Sequence, residues 1–210
     1  MDAIADLSMF GLVIMAGAAL SWLSALYPAE MPVWGPWQFS WVEYIGCVFA
    51  LGWYVRGILR MAPEPRPALW RQIFYYLGVA SIYAVIQTRL TYLAQHLFTA
   101  TQAQQFVLHD IGPFLIALSW PGAVLREGMP PSLRRRLHMP PVLRLLRAVQ
   151  QPVIAALLFI SLLVGQALPV VVFRMMLDRR VFDIMNVLMV VDGVLFWCLV
   201  LDPRPQPPAG

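Results

Sequence analysis

Apolar residues fall into six long runs along the chain, roughly 8–27, 40–61, 72–94, 102–123, 152–173 and 182–201. Each run approaches the roughly 20 residues that a helix needs to cross a hydrocarbon core of about 30 Å. No stretch shows the alternation over about ten residues expected of a barrel strand. The pattern predicts an all-α integral membrane protein: a bundle of about six transmembrane helices forming one domain over residues 1–201. The tail 202–210 (DPRPQPPAG) holds too little apolar surface to fold and is expected to be disordered.

The stretches between the runs differ in texture. Segment 28–39 is rich in Pro and Trp (PAEMPVWGPWQF), which predicts an ordered cap at the headgroup level, where aromatic rings are favoured. Segment 129–152 places two Pro-Pro pairs around SLRRRLHM and continues as VLRLLRAVQQ. That continuation has apolar residues at helical spacing beside Arg144 and Arg147. It reads either as an amphipathic helix on an anionic leaflet or as a plain basic loop.

Composition reinforces the membrane reading. Hydrophobic residues make up 60% of the 210 residues and charged ones 12%, against about 25% charged in an ordinary soluble domain. Mean hydropathy is +0.68. No Lys is present and the basic residues are all Arg, which stay charged at any physiological pH. Their placement gives a direction. Arg56, Arg60, Arg66 and Arg71 flank the 62–71 loop, and Arg126, Arg134, Arg135, Arg136, Arg144 and Arg147 occupy 124–151, whereas 28–39 and 95–101 hold none. The positive-inside rule puts both Arg-rich loops and both termini in the cytoplasm. The loop 174–181, with Arg174, Arg179 and Arg180, is outnumbered on the other side. Basic charge confined to such loops argues against a nucleic-acid partner and for membrane lipids. No basic residue precedes Arg56, so the first run lacks the positive leader of a signal peptide and is expected to be retained.

Polar groups at bilayer depth need a partner or a role. Thr101, Gln105, His109 and Gly112 recur at helical spacing in the fourth run, with Asp110 beside them and Arg89 at comparable depth as the expected partner of Asp110. The sixth run adds Asp183, Asn186 and Asp192. Arg89, Thr101, Gln105, His109, Asp110, Asn186 and Asp192 therefore form a predicted intramembrane polar cluster, which serves either as glue between helices or as a ligand or proton site. Met185 and Met189 lie one turn apart, with Met175 and Met176 at the same end. Thioethers suit Cu(I), so His109, Met185 and Met189 are the candidate copper ligands, although methionine is also an ordinary core filler. Cys47 and Cys198 lie far apart in apolar runs and read as buried thiols. No HExxH, GxSxG or P-loop occurs, so no enzyme is predicted and no cofactor is firmly implied.

Several segments, taken in order, resemble the CtaG family of bacterial cytochrome c oxidase assembly factors. They are WRQIFYYLGVASIYAVIQTRLTYLAQHLFTA (70–100), TQAQQFVLHDIGPFLIALSWP (101–121), LPVVVF (168–173) and DGVLFWCLVLDPRP (192–205). The resemblance implies a multi-pass protein of the bacterial inner (plasma) membrane. Its partners would be respiratory oxidase subunits or assembly intermediates. Typical members carry two histidine pairs that by this resemblance would handle copper. Their positions fall on Thr101 and Gln105 and on Phe182 and Asn186 here, and neither amide nor phenyl replaces imidazole. The expected function is thus a non-enzymatic assembly factor with degenerate copper handling. The alternatives are a permanent accessory subunit of a respiratory oxidase complex, or a small transporter or proton-relay protein using His109, Asp110 and Asp192.

Overall fold

The structure, a computed structural model, describes residues 2–27, 32, 35–36, 39–62 and 66–201, with the side chains of 2–10, 95 and 176 outside that set. Most of the predicted cap at 28–39 and all of the tail 202–210 lie outside the described residues. Described secondary structure is entirely helical: α1 (Asp2–Leu26), α2 (Trp41–Arg60), α3 (Leu69–Gln87), α4 (Leu90–His96), α5 (Phe98–Phe106), a π-helical turn (Val107–Ile111), α6 (Gly112–Leu118), α7 (Gly122–Gly128), α8 (Pro131–Leu137), α9 (Pro140–Val149), α10 (Pro152–Ala167), α11 (Pro169–Leu177) and α12 (Arg179–Val200).

Among the described residues, α2, α3 and α12 are each long and apolar enough to cross a membrane. Five spans result if two bent pairs count as one crossing each: Phe98–Leu118 with α7, at 82°, and α9 with α10, at 74°. α1 contributes a shorter apolar stretch, Gly11–Leu26. The faces turned away from the bundle are strongly apolar, with Leu12, Leu69, Val153 and Val170 each at least 70% exposed. Such a surface is stable against lipid and not against water.

Three of the predicted runs are interrupted, each for a local reason. The run 72–94 breaks at Thr88–Arg89, where side chains take over the last carbonyls of α3. Thr88 Oγ1 donates to the Ala84 carbonyl, Thr91 Oγ1 to those of Val85 and Ile86, and Gln104 Nε2 to Val85 at 2.7 Å. A helix end inside a membrane cannot leave those acceptors bare. The run 102–123 stops at Leu118, because Trp120 adopts a left-handed φ of 53° and the chain turns into α7. Glycine usually occupies such a position. The run 152–173 breaks at Leu168, which Pro169 forces into an extended conformation (φ −69°, ψ 127°).

The bundle interior is assembled by close backbone approach. A Cβ at Gly128 would lie 1.7 Å from the Trp53 carbonyl oxygen, and one at Gly57 would lie 2.0 Å from that of Val124, which fixes α7 against α2. Gly78 and Gly112 bring α3 against α6 in the same way. Small residues at helix crossings are the usual device where no hydrophobic effect separates protein from lipid. Between these contacts sit Tyr54, Tyr75, Val79, Ile82, Ile86, Leu108 and Val124. Tyr54 and Tyr75 stack with ring centroids 3.8 Å apart.

Candidate functional site

The fourth run carries its polar residues on a distorted helix, and Pro113 explains the distortion. Proline has no N–H to offer the carbonyl of His109 and crowds it sterically. The helix widens into the π turn Val107–Ile111, closed by the Gly112 N–H donating to the Val107 carbonyl. The freed His109 carbonyl faces α12 at Gly193, where a Cβ would sit 2.4 Å from its oxygen. Glycine at 193 therefore lets α12 close onto the π turn.

That approach sets the geometry of His109, whose side chain is fully buried. Its Nε2 lies 3.2 Å from Asp192 Oδ2. Its ring stacks on Phe159 of α10 with centroids 3.9 Å apart, and Phe159 stacks in turn on Phe196 at 4.1 Å. Trp197 meets Phe114, Phe159 and Phe196 edge-on. His109 Nδ1 is buried without a hydrogen-bond partner. Three helices thus converge on one imidazole, and α12 supplies Asp192, Gly193, Phe196 and Trp197 from a single short motif.

A second feature lies further along the same helices. A cavity of about 460 Å³ opens between α4, α5, α11 and α12, and its walls include His96, Thr101, Gln105, Met175, Arg179 and Phe182. Three of the four positions at which the resemblance implied histidines, Thr101, Gln105 and Phe182, therefore share one cavity. Asn186 is buried one turn below Phe182 on α12. Thr101 Oγ1 donates to the carbonyls of Ala94 and Leu97, so its hydroxyl is committed to closing α4. His96 Nδ1 pairs with the Tyr92 carbonyl at 2.8 Å. Arg179 Nε donates to Asp183 Oδ1 at 2.9 Å.

Asn186, Met189, Asp192 and Gly193 form the buried stripe of α12. Met189 is fully buried and Met185 half-buried. Asp110 is half-buried next to His109 on the π turn. Arg89 is half-buried at the break between α3 and α4. Among the described residues no group of three or more His, Cys, Asp or Glu side chains is gathered to hold a metal. Cys47 is buried and Cys198 half-buried, and neither takes part in a disulfide among the described residues.

Glu43 and Gln166 are among the buried polar groups that the sequence reading missed. Glu43, in the first turn of α2, is 5% exposed and neither carboxylate oxygen makes a hydrogen bond. Asp183, Arg179 and Asn186 of α12 are its polar neighbours across the α2–α12 contact. Gln166, near the end of α10, is 1% exposed with both amide atoms unpartnered. The signal was available in principle: each is a long polar side chain inside an otherwise apolar run.

A family model described as "Cytochrome c oxidase caa3 assembly factor (Caa3_CtaG)" matches residues 52–210. No curated protein and no solved structure matches the chain.

Proposed function

The chain belongs to the family of cytochrome c oxidase caa3 assembly factors, and on that premise we propose that it is a non-enzymatic inner-membrane factor that holds an oxidase subunit or assembly intermediate without delivering copper. One observation carries this reading. A cavity opens at three of the four positions where the resemblance implied histidines, and Thr101, Gln105 and Phe182 line it. The thioether of Met175 and the single imidazole of His96 are a poor donor set for a transferable copper ion. An amide-, hydroxyl- and phenyl-lined recess suits a peptide segment instead. The His109–Asp192 pair acts in this reading as the fixed floor that orients α12 against the π turn.

We further propose the six-crossing arrangement with both termini in the cytoplasm. Its support is the separation of charge along the bundle. Met61 shares one cavity wall with Arg126, Arg134 and Arg135 and another with Arg66 and Arg71, so both Arg-rich loops meet at one end. That end carries the Arg excess expected of the cytoplasmic side.

The test is affinity purification from native membranes in gentle detergent, with mass spectrometry for partners and metal analysis of the same sample. Oxidase subunits or intermediates without copper are the expected result. Copper at about one per chain, lost on His96→Ala, would overturn the loss of metal handling. A fixed equal stoichiometry with the mature oxidase would make the chain a permanent subunit, and an isolated protein would remove both respiratory readings.

A further inference from the structure

The Arg-rich end of the bundle holds a cavity of about 590 Å³ whose walls include Met61, Arg126, Glu127, Arg134, Arg135 and His138. Three arginines and a single glutamate line it, which makes it a net cationic recess at the end of a spanning helix. Arg126 Nε donates to the Gly122 carbonyl at 3.1 Å, which anchors its stem along α7. His138 Nδ1 pairs with the Arg134 carbonyl at 2.7 Å, leaving Nε2 as the nitrogen for a ligand. A second cavity continues from the first across Met61 and Ala123 and adds Arg66 and Arg71. Planar guanidinium forks match phosphate oxygens two at a time.

The surroundings state where a phosphate at this place would come from. Trp70 and Trp120 line the second cavity, and indole rings mark the headgroup level of a bilayer. α8 and α9 bury no residue against the bundle. α9 crosses α10 at 74°, so it lies near the membrane plane when α10 runs along the normal. Val142, Leu145, Leu146 and Val149 occupy one face of α9 and Arg144 and Arg147 the other, with Leu145 64% exposed. Such a helix rests its apolar face among acyl chains and its arginines among headgroups.

We propose that the recess formed by Arg126, Arg134, Arg135 and His138 is a binding site for the phosphate headgroup of an anionic phospholipid, with α9 lying in the leaflet beside it. The site is separate from the cavity at the opposite end and does not depend on which oxidase component that cavity engages.

The test is native mass spectrometry of the full chain in neutral detergent, titrated with phosphatidylglycerol, with phosphatidylcholine of the same chain length, or with inorganic phosphate. Phosphatidylglycerol is expected to bind at least about tenfold more tightly than phosphatidylcholine, since each arginine near a headgroup is worth about a factor of five. The double variant Arg134→Ala/Arg135→Ala is expected to lose that preference. Arg144→Ala/Arg147→Ala, which removes equal charge outside the recess, is expected to keep most of it. All four side chains are exposed, so neither variant removes a packing contact. Equal binding of the two lipids would overturn the proposal, as would equal losses in the two double variants. Displacement of lipid by inorganic phosphate at micromolar concentration would overturn it in favour of a soluble phosphate ligand.

Discussion

His109 is held by two different kinds of contact, and they predict different things. The stack on Phe159 depends on ring shape, whereas the contact with Asp192 depends on a nitrogen donor. A double-mutant cycle separates them: His109→Phe keeps the ring, and Asp192→Asn keeps the shape of the partner. The coupling is expected near 1 kcal/mol, within the range of polar pairs in helical membrane proteins. It is read from unfolding of the purified protein in mixed detergent, and a coupling of zero would make the two residues mere neighbours. Glu43 predicts the opposite sign. Its carboxylate oxygens are buried without a hydrogen-bond partner, and a polar group left so at that depth costs stability. Glu43→Gln removes the charge at nearly constant volume. The thermal midpoint is therefore expected to stay level or rise; a clear fall would mean that the carboxylate carries a structural contact. The periodic stripe in the fourth run exposed His109 to sequence reading, because a helix repeats its faces regularly. Glu43 and Gln166 had no such repeat around them, and their burial is decided by which helix packs opposite.

At the scale of elements, the breaks in the helices separate what is local from what is not. The break before Pro169 follows from one residue and its missing N–H. The break at Thr88–Arg89 does not, since it requires Thr91 and Gln104 to reach carbonyls that a continuous helix would have used itself. The turn at Trp120 lacks the glycine that normally announces a left-handed residue. Pro113 and Gly193 were both legible as members of motifs, but their joint action was not: proline bares the His109 carbonyl, and glycine allows α12 to reach it. That pairing gives a direct prediction. Gly193→Ala places a methyl group 2.4 Å from a backbone oxygen that cannot swing away. A loss of about 1–3 kcal/mol is expected from such overpacking, together with loss of the His109–Asp192 contact. Gly46→Ala, where nothing lies within 4 Å of the added Cβ, is the matched control on another helix. Equal effects of the two substitutions would mean that the close approach at Gly193 contributes nothing.

On the scale of the whole molecule, the two ends of the bundle differ in kind. One end gathers arginines from two distant loops around Met61, and the other encloses an amide-lined cavity beside α11 and α12. Apolar run lengths alone led to six crossings, while the described helices supply three by themselves and five with the bent pairs. Breaks within the runs 102–123 and 152–173 leave helices too short to span unless each is joined to its bent neighbour, and the first run is represented among the described side chains only by Gly11–Leu26. Orientation is accessible to a labelling experiment, because the native thiols are limited to Cys47 and Cys198. In a Cys47→Ser/Cys198→Ser background, a cysteine at Ser132 on α8 tests the arginine end and one at Gln102 on α5 tests the opposite end. A membrane-impermeant maleimide added to intact cells with a permeable outer membrane is expected to modify Gln102→Cys and spare Ser132→Cys until the inner membrane is lysed. The reverse pattern would invert the molecule and put the cationic recess on the outer leaflet. Modification of both before lysis would mean that α8 and the Arg-rich loops do not lie behind the membrane at all, and the crossing count would have to change by an odd number.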